Sequence, residues 1–328
     1  MREDALGKEF YGQLSELAKR NRQPHQTKMR PRAQVDDEIH IRHEPDPIKK
    51  SPGPTAVENN QKRPEPLESV DIAIITALRD PEFNQVLGTF GQDWQASGQQ
   101  NVAYQTAQIK VGHNDLSVVA ACQNAMGMVP AALLTQKTIS IWRPRIVIMT
   151  GICASVPNKT NLGDVVVAKQ IFDYGSGKIQ DGIIKPDYTP LEMMEVLTNY
   201  ATEAAYDNET LRAIRDSWPI AQGKPDTELK AHVGPFCSGA AVVADDSIVA
   251  GITEHKRSLI GIDMEAYGVA TACVTSLSHR TPFLIVKSVQ DYANSDKNDD
   301  YRLYAAFTSA KFVYEFIRKY WKDIEPAL

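Results

Sequence analysis

Apolar residues follow two different arrangements along this chain of 328 residues. Over residues 1–68 only EDALGKEFYGQLSELAKR is periodic. Leu6, Phe10, Leu14 and Leu17 step by three or four, which predicts a short amphipathic helix. A run from Lys19 to Arg32 follows with six basic residues and no acid. Then PDPIKKSPGPTAVENNQKRPEP reads as an extended linker, and residues 1–68 hold 8 of the 19 prolines. From Val70 onward the pattern is that of an α/β domain. Continuous β-branched runs lie at 72–76, 116–123, 145–151, 163–171 and 283–289, as strands covered on both faces require. Helices are predicted at 129–142, 264–278 and 301–320. In the second, Ala266, Val269, Ala270, Cys273, Val274 and Leu277 form one stripe. In the third, Leu303, Phe307, Ala310, Val313, Phe316, Ile317 and Tyr320 do the same. Strands alternating with helices predict a single mixed, largely parallel twisted sheet surrounded by helices, spanning 69–328.

Composition narrows this picture. Apolar residues make up 42% and charged residues 23%, enough for a substantial core. A net charge of -5 gives no general attraction for nucleic acid or anionic lipid. The apolar runs fall short of the roughly 20 residues a membrane span needs. The stretch MREDALGKEF has no apolar signal core, so a cytoplasmic chain is expected. Cys122, Cys153, Cys237 and Cys273 are widely spaced beside apolar runs and read as reduced, mostly buried thiols.

In such sheets ligands bind beyond the carboxyl ends of the strands. The residues that follow the strand runs, together with Asp263-Met264-Glu265, carry Glu82, Glu265 and Asp291 toward one end of the sheet. Each acid also has a structural reading: Glu82 and Glu265 as first-turn helix acids, Asp291 as a turn former. Together they predict a polar pocket. No histidine or cysteine pair has metal-ligand spacing, and there is no Walker-type loop or GxGxxG, so neither metal nor cofactor is expected. His113, His232, His255 and His279 have no partner pattern.

The stretches IAIITAL, GICASVPNKTNLGDVVVA, SGAAVVADD, IGIDMEAYGVA and KSVQDYANSDKNDDYRLYAA occur in this order over about residues 70–320. Together they resemble the nucleoside phosphorylase/nucleosidase superfamily, in particular its methylthioadenosine/S-adenosylhomocysteine nucleosidase branch. The closing stretch also resembles nucleosidase-like domains of immune receptors and anti-phage effectors. The resemblance implies cleavage of the N-glycosidic bond of a purine, adenine first, from a nucleoside or nucleotide. Asp291 matches the acid at purine N7, and Met264-Glu265 the pair whose glutamate binds the ribose hydroxyls. Lys287 stands where an arginine supports that glutamate. Glu82 resembles the carboxylate that holds the attacking water. Met126-Gly127 resembles the turn under the ribose, and Val242 replaces an aromatic that packs on the base. Gly151 and Ile152, at the end of the 145–151 run, complete the expected binding set.

Bond cleavage puts positive charge on the sugar and negative charge on the purine. An acid at N7 must therefore carry a proton near neutrality, and the sugar must be held firmly. Met149 stands where phosphorylases of the family carry an arginine, which favours water over phosphate as the second reactant; Arg79 is the nearby cation that could reverse this. Gln290 replaces a serine beside the acid and Ala240 an acidic residue, which opens the identity of the base. Lys159, Lys297 and Arg302 could meet 5′ phosphates but read as solvated surface. The alternatives are a phosphorylase and a non-catalytic nucleotide-sensing module. By resemblance a homo-oligomer is expected. The basic run within residues 1–68 reads as a solvated tail, or else the segment's short helix docks on a protein partner.

Overall fold

The computed structural model describes residues 69–328 apart from 92, 113, 181–182, 221–222, 244, 277–279 and 295–298. The helix and linker expected in 1–68, together with His113, Leu277, His279 and Lys297, lie outside the described residues. The strands are β1 (Ile72–Thr76), β2 (Gln95–Gln99), β3 (Val102–Val111), β4 (Asn114–Cys122), β5 (Ile146–Ala154), β6 (Val165–Asp173), β7 (Gly177–Gln180), β8 (Ile183–Pro186), β9 (Leu191–Glu192), β10 (Ala231–Ser238), β11 (Gly261–Asp263) and β12 (Phe283–Asp291). The α-helices are α1 (Asn84–Phe90), α2 (Met128–Trp142), α3 (Glu195–Tyr206), α4 (Asn208–Asp216), α5 (Asp246–His255), α6 (Ala266–Thr275) and α7 (Arg302–Ile324).

All five residues of β1 are buried, because sheet neighbours flank it and helices cover both faces. It pairs in parallel with β4, Ile72 opposite Val118, and with β5, Ile72 opposite Ile146. β12 pairs in parallel with β5. The carboxyl ends of β1, β4, β5 and β12 therefore lie side by side. The sheet is mixed, as expected. β12 meets β6 antiparallel, and β2, β3 and β4 form an antiparallel meander at one edge.

β6, β10 and β11 are parallel to one another. β11 also makes one antiparallel pairing with β5, Ile262 opposite Ala154. Five strands, β5, β12, β6, β10 and β11, thereby close into a ring. That closure brings the residues following β11 to the carboxyl end of β5. Outside the ring α7 packs on β12 and β5 and α2 packs on α6. Trp321, Phe316, Phe83 and Tyr304 are among the largest fully buried side chains. Among the described residues no helix is long and apolar enough to cross a membrane.

Candidate active site

After β1 the chain passes Ala77 and Leu78 and enters a kinked turn, Arg79–Phe83, in which Asp80 is extended. Glu82 is 2% exposed there. Its carboxylate turns back on the strand end. Oε2 accepts from the backbone N–H groups of Ala77 and Leu78, each at 2.8 Å. Oε1 accepts from the N–H of Ile152 at 2.9 Å. A buried carboxylate requires such donors, and three of them fix its direction. Gly151 makes the approach possible, since a Cβ there would stand 2.2 Å from Oε1.

Glu265 follows β11 and precedes α6. Its Oε1 accepts from the N–H of Gly127 at 2.8 Å. Burial first, then the charge of Asp263, pushes its carboxyl up to about 7, while Lys287 and the Gly127 N–H pull the other way. Asp263 holds this corner together. Its Oδ1 accepts from Ser238 Oγ at 2.7 Å and from the N–H groups of Glu265 and Ala266 at 3.1 Å each. Lys287, fully buried on β12, places Nζ 3.3 Å from Asp263 Oδ2, an ion pair without hydrogen-bond alignment. Burial pulls this ammonium down, but Asp263, Glu82 and Glu265 offset it and hold it above the ordinary lysine range. Its ion-pair partner is Asp263, and its charge also acts directly on the Glu265 carboxyl.

Asp291 ends β12 at a bulge, where the register against β5 jumps between Val289 and Asp291. The irregularity re-aims the side chain at the strand's end. Asp291 is 4% exposed. Oδ1 accepts from the N–H of Ala293 and Oδ2 from Gln290 Nε2, both at 2.9 Å. Gln290 thus turns its NH₂ toward Asp291, and its own Oε1 is buried without a partner.

These elements enclose one cavity of about 280 Å³. Glu82, Glu265, Asp291, Met126, Ile152, Val242 and Met264 line it, together with Leu78, Asp263 and Gln290. Met126 and Val242 are more than half exposed, so they form an apolar rim over an acidic floor. Gly127, Gly151 and Lys287 are not on the wall. They stand behind it, in contact with Glu265, Glu82 and Asp263. Asp263 received no role from the sequence, although its position two residues before Glu265 in GIDME was a usable signal. Arg302 also lines the cavity, which corrects its reading as solvated surface. Lys159 is exposed, and Arg79 lies over the Phe83 ring at 4.6 Å rather than on the wall. Met149 is fully buried in the core. His232 meets Asp164 at 2.8 Å, away from the cavity wall. The four cysteines are free, and Cys153, Cys237 and Cys273 are buried. Among the described residues no group of three His, Cys, Asp or Glu side chains could hold a metal ion.

The sequence model of the phosphorylase superfamily matches residues 71–318. The chain belongs to that superfamily. Among the described residues the match thus covers every strand and all of the cavity wall. A Sinorhizobium fredii protein, y4jS, is 32% identical over 247 residues, which is 73% of this chain and 59% of that protein. The ATP nucleosidase Cap17 of Escherichia coli is 23% identical over 268 residues, 78% of this chain and 52% of its own length. The chain therefore spans little more than half of these relatives. Among solved structures it is similar to the methylthioadenosine/S-adenosylhomocysteine nucleosidase of Colwellia psychrerythraea in complex with adenine. The TM-score is 0.60 at 20% identity, over 77% of this chain and 96% of that one, a likeness of fold.

Proposed function

We propose that this superfamily member hydrolyses the N-glycosidic bond of a purine nucleoside or nucleotide, with adenine as the base. The observation that carries the reading is the convergence of Glu82, Glu265 and Asp291 on one cavity from three distant segments. Glu265, when ionised, accepts the ribose hydroxyls and fixes the sugar. Asp291 meets N7 and neutralises the departing purine, a type of contribution typically worth about 10²–10⁴ in rate. Glu82, steered by three N–H groups, orients water on the opposite face of the sugar. The names of the relatives support this: Cap17 is an ATP nucleosidase, and the Colwellia enzyme holds adenine.

Water rather than phosphate is favoured by charge. Five carboxylates and one arginine are found among the described residues of the wall. A dianionic nucleophile needs fixed cations, and Met149 and Arg79 supply none there. The assignment extends to the rest of the chain. Residues 69–328 form the catalytic domain, residues 1–68 dock on a protein partner, and the protein works in the cytoplasm. Exposed Met126, Val129 and Leu133 mark a face suited to a homo-oligomer.

The test mixes the protein with adenosine, methylthioadenosine, AMP and ATP, with and without phosphate, and measures free base. Phosphate-independent base release is expected, reduced about 10²–10⁴-fold in Asp291→Asn. Ribose 1-phosphate formed only with added phosphate would make it a phosphorylase. Binding without any base release would make it a sensor.

A further inference from the structure

The charged side chains described on the cavity wall are acids with one exception. Among its described residues Glu82, Asp263, Glu265, Asp291 and Asp299 are acids and Arg302 is the one cation. The first four acids are tied down by backbone or side-chain donors. Arg302, the first residue of α7, is held far more loosely. Its Nη1 lies 3.7 Å from Asp299 Oδ2, with side chains 35% and 67% exposed respectively. An ion pair that long and that wet contributes little. Its Nε is buried and has no hydrogen-bond partner. The first turn of α7 has no acidic side chain, and Tyr301 supplies no side-chain cap.

A nucleoside presents three polar directions from its sugar: the base, the ring hydroxyls and the 5′ carbon. On the proposed function, Asp291 takes the base and Glu265 the hydroxyls. Arg302 is then left for the 5′ substituent. A neutral 5′ group has no use for a guanidinium at the wall, whereas a phosphate matches its planar fork of donors. We propose that Arg302 is the binding residue for a 5′ phosphate, so that the substrate is a purine 5′-nucleotide rather than a free nucleoside. This rests on the proposed function. Asp299 competes for the same guanidinium, and the acidic wall repels phosphate, so discrimination concentrates on this one side chain.

The experiment compares kcat/KM for adenosine, AMP and ATP in wild type, Arg302→Gln and Asp299→Asn. The wild type is expected to prefer a nucleotide over adenosine by at least about tenfold. Arg302→Gln should lower that preference roughly ten- to a hundredfold, chiefly through KM. Asp299→Asn should raise it, and added salt should lower it in wild type. Equal use of adenosine and its 5′ phosphates, or a preference untouched by Arg302→Gln, overturns the inference and leaves the nucleosidase reading standing. No base from any of the three substrates or from methylthioadenosine overturns both, and base from methylthioadenosine alone overturns only the inference.

Discussion

Gly151 lacks a side chain because the Glu82 carboxylate fills the space a Cβ would take. In Gly151→Ala the new methyl would sit 2.2 Å from Oε1 and 2.5 Å from Cδ. Glu82 must swing away, leaving the Ile152 N–H unpaired, or β5 must shift. The expected result is a loss of about 1–3 kcal/mol in urea unfolding and a fall in base release of at least ~10². Unchanged stability and turnover would show that Glu82 has room the geometry denies. Glu265 gives a signed pH effect. Its carboxyl stands at about 7 in the folded chain against an ordinary 4.5. Between those values the folded state holds a proton that the unfolded state has released. Stability from this group therefore falls as pH rises from about 4.5 to 7 and stays low above it. In Glu265→Gln that decline disappears. The variant should match wild type at pH 4.5 and exceed it at pH 8 by on the order of 1–2 kcal/mol, read from urea unfolding at both pH values. Wild-type kcat/KM should fall as pH drops below about 7, because a protonated Glu265 no longer accepts both ribose hydroxyls. Identical pH–stability curves for the two proteins would contradict the assignment.

At the scale of elements, the distance between α2 and α6 is set by Gly268. A Cβ on Gly268 would meet the Met128 carbonyl oxygen at 2.1 Å, a backbone atom that cannot rotate aside. Gly268→Ala must push the helices apart. That motion separates Gly127, just before α2, from Glu265, just before α6, and loosens their 2.8 Å hydrogen bond. The variant should lose about 1–3 kcal/mol in a thermal melt, and its KM should rise more than its kcat falls. A kcat loss at unchanged KM would place the damage elsewhere. Pairing of this kind is invisible in sequence, where Gly268 reads only as a weak residue in a good helical stripe. The five strands with β-branched runs were legible because burial on both faces imposes that composition. β2 was not, since QASGQ sits at the sheet edge and half faces water. β10 was hidden by Pro235, which is tolerated where the register slips between Gly234 and Pro235. α4 buries only Leu211 and Ile214, too little to stand out as a stripe.

For the molecule as a whole, three of the cavity's acids, Glu82, Glu265 and Asp291, were legible, whereas Asp263, Asp299 and the connections between them were not. Glu82 and Asp291 follow parallel strands, so a rule about strand ends finds them. Glu265 arrives from β11 through a single pairing to Ala154, and the Asp263–Lys287 ion pair depends on the same ring closure. The fold also carries Arg302 to the wall, eleven positions after Asp291. The core that holds this arrangement runs from Val70 to Ile324. Such a core is large enough for independent folding of a domain of this length. A chain lacking residues 1–68 is therefore expected to unfold in one cooperative transition within a few degrees of the full chain. Its kcat/KM on small purine substrates should stay within about twofold, because none of the cavity residues is removed. Thermal unfolding and base release on the two proteins side by side decide the matter. If the shortened chain melts broadly, or loses more than tenfold in kcat/KM, then residues 1–68 complete the catalytic domain and their role as a separate docking segment is wrong.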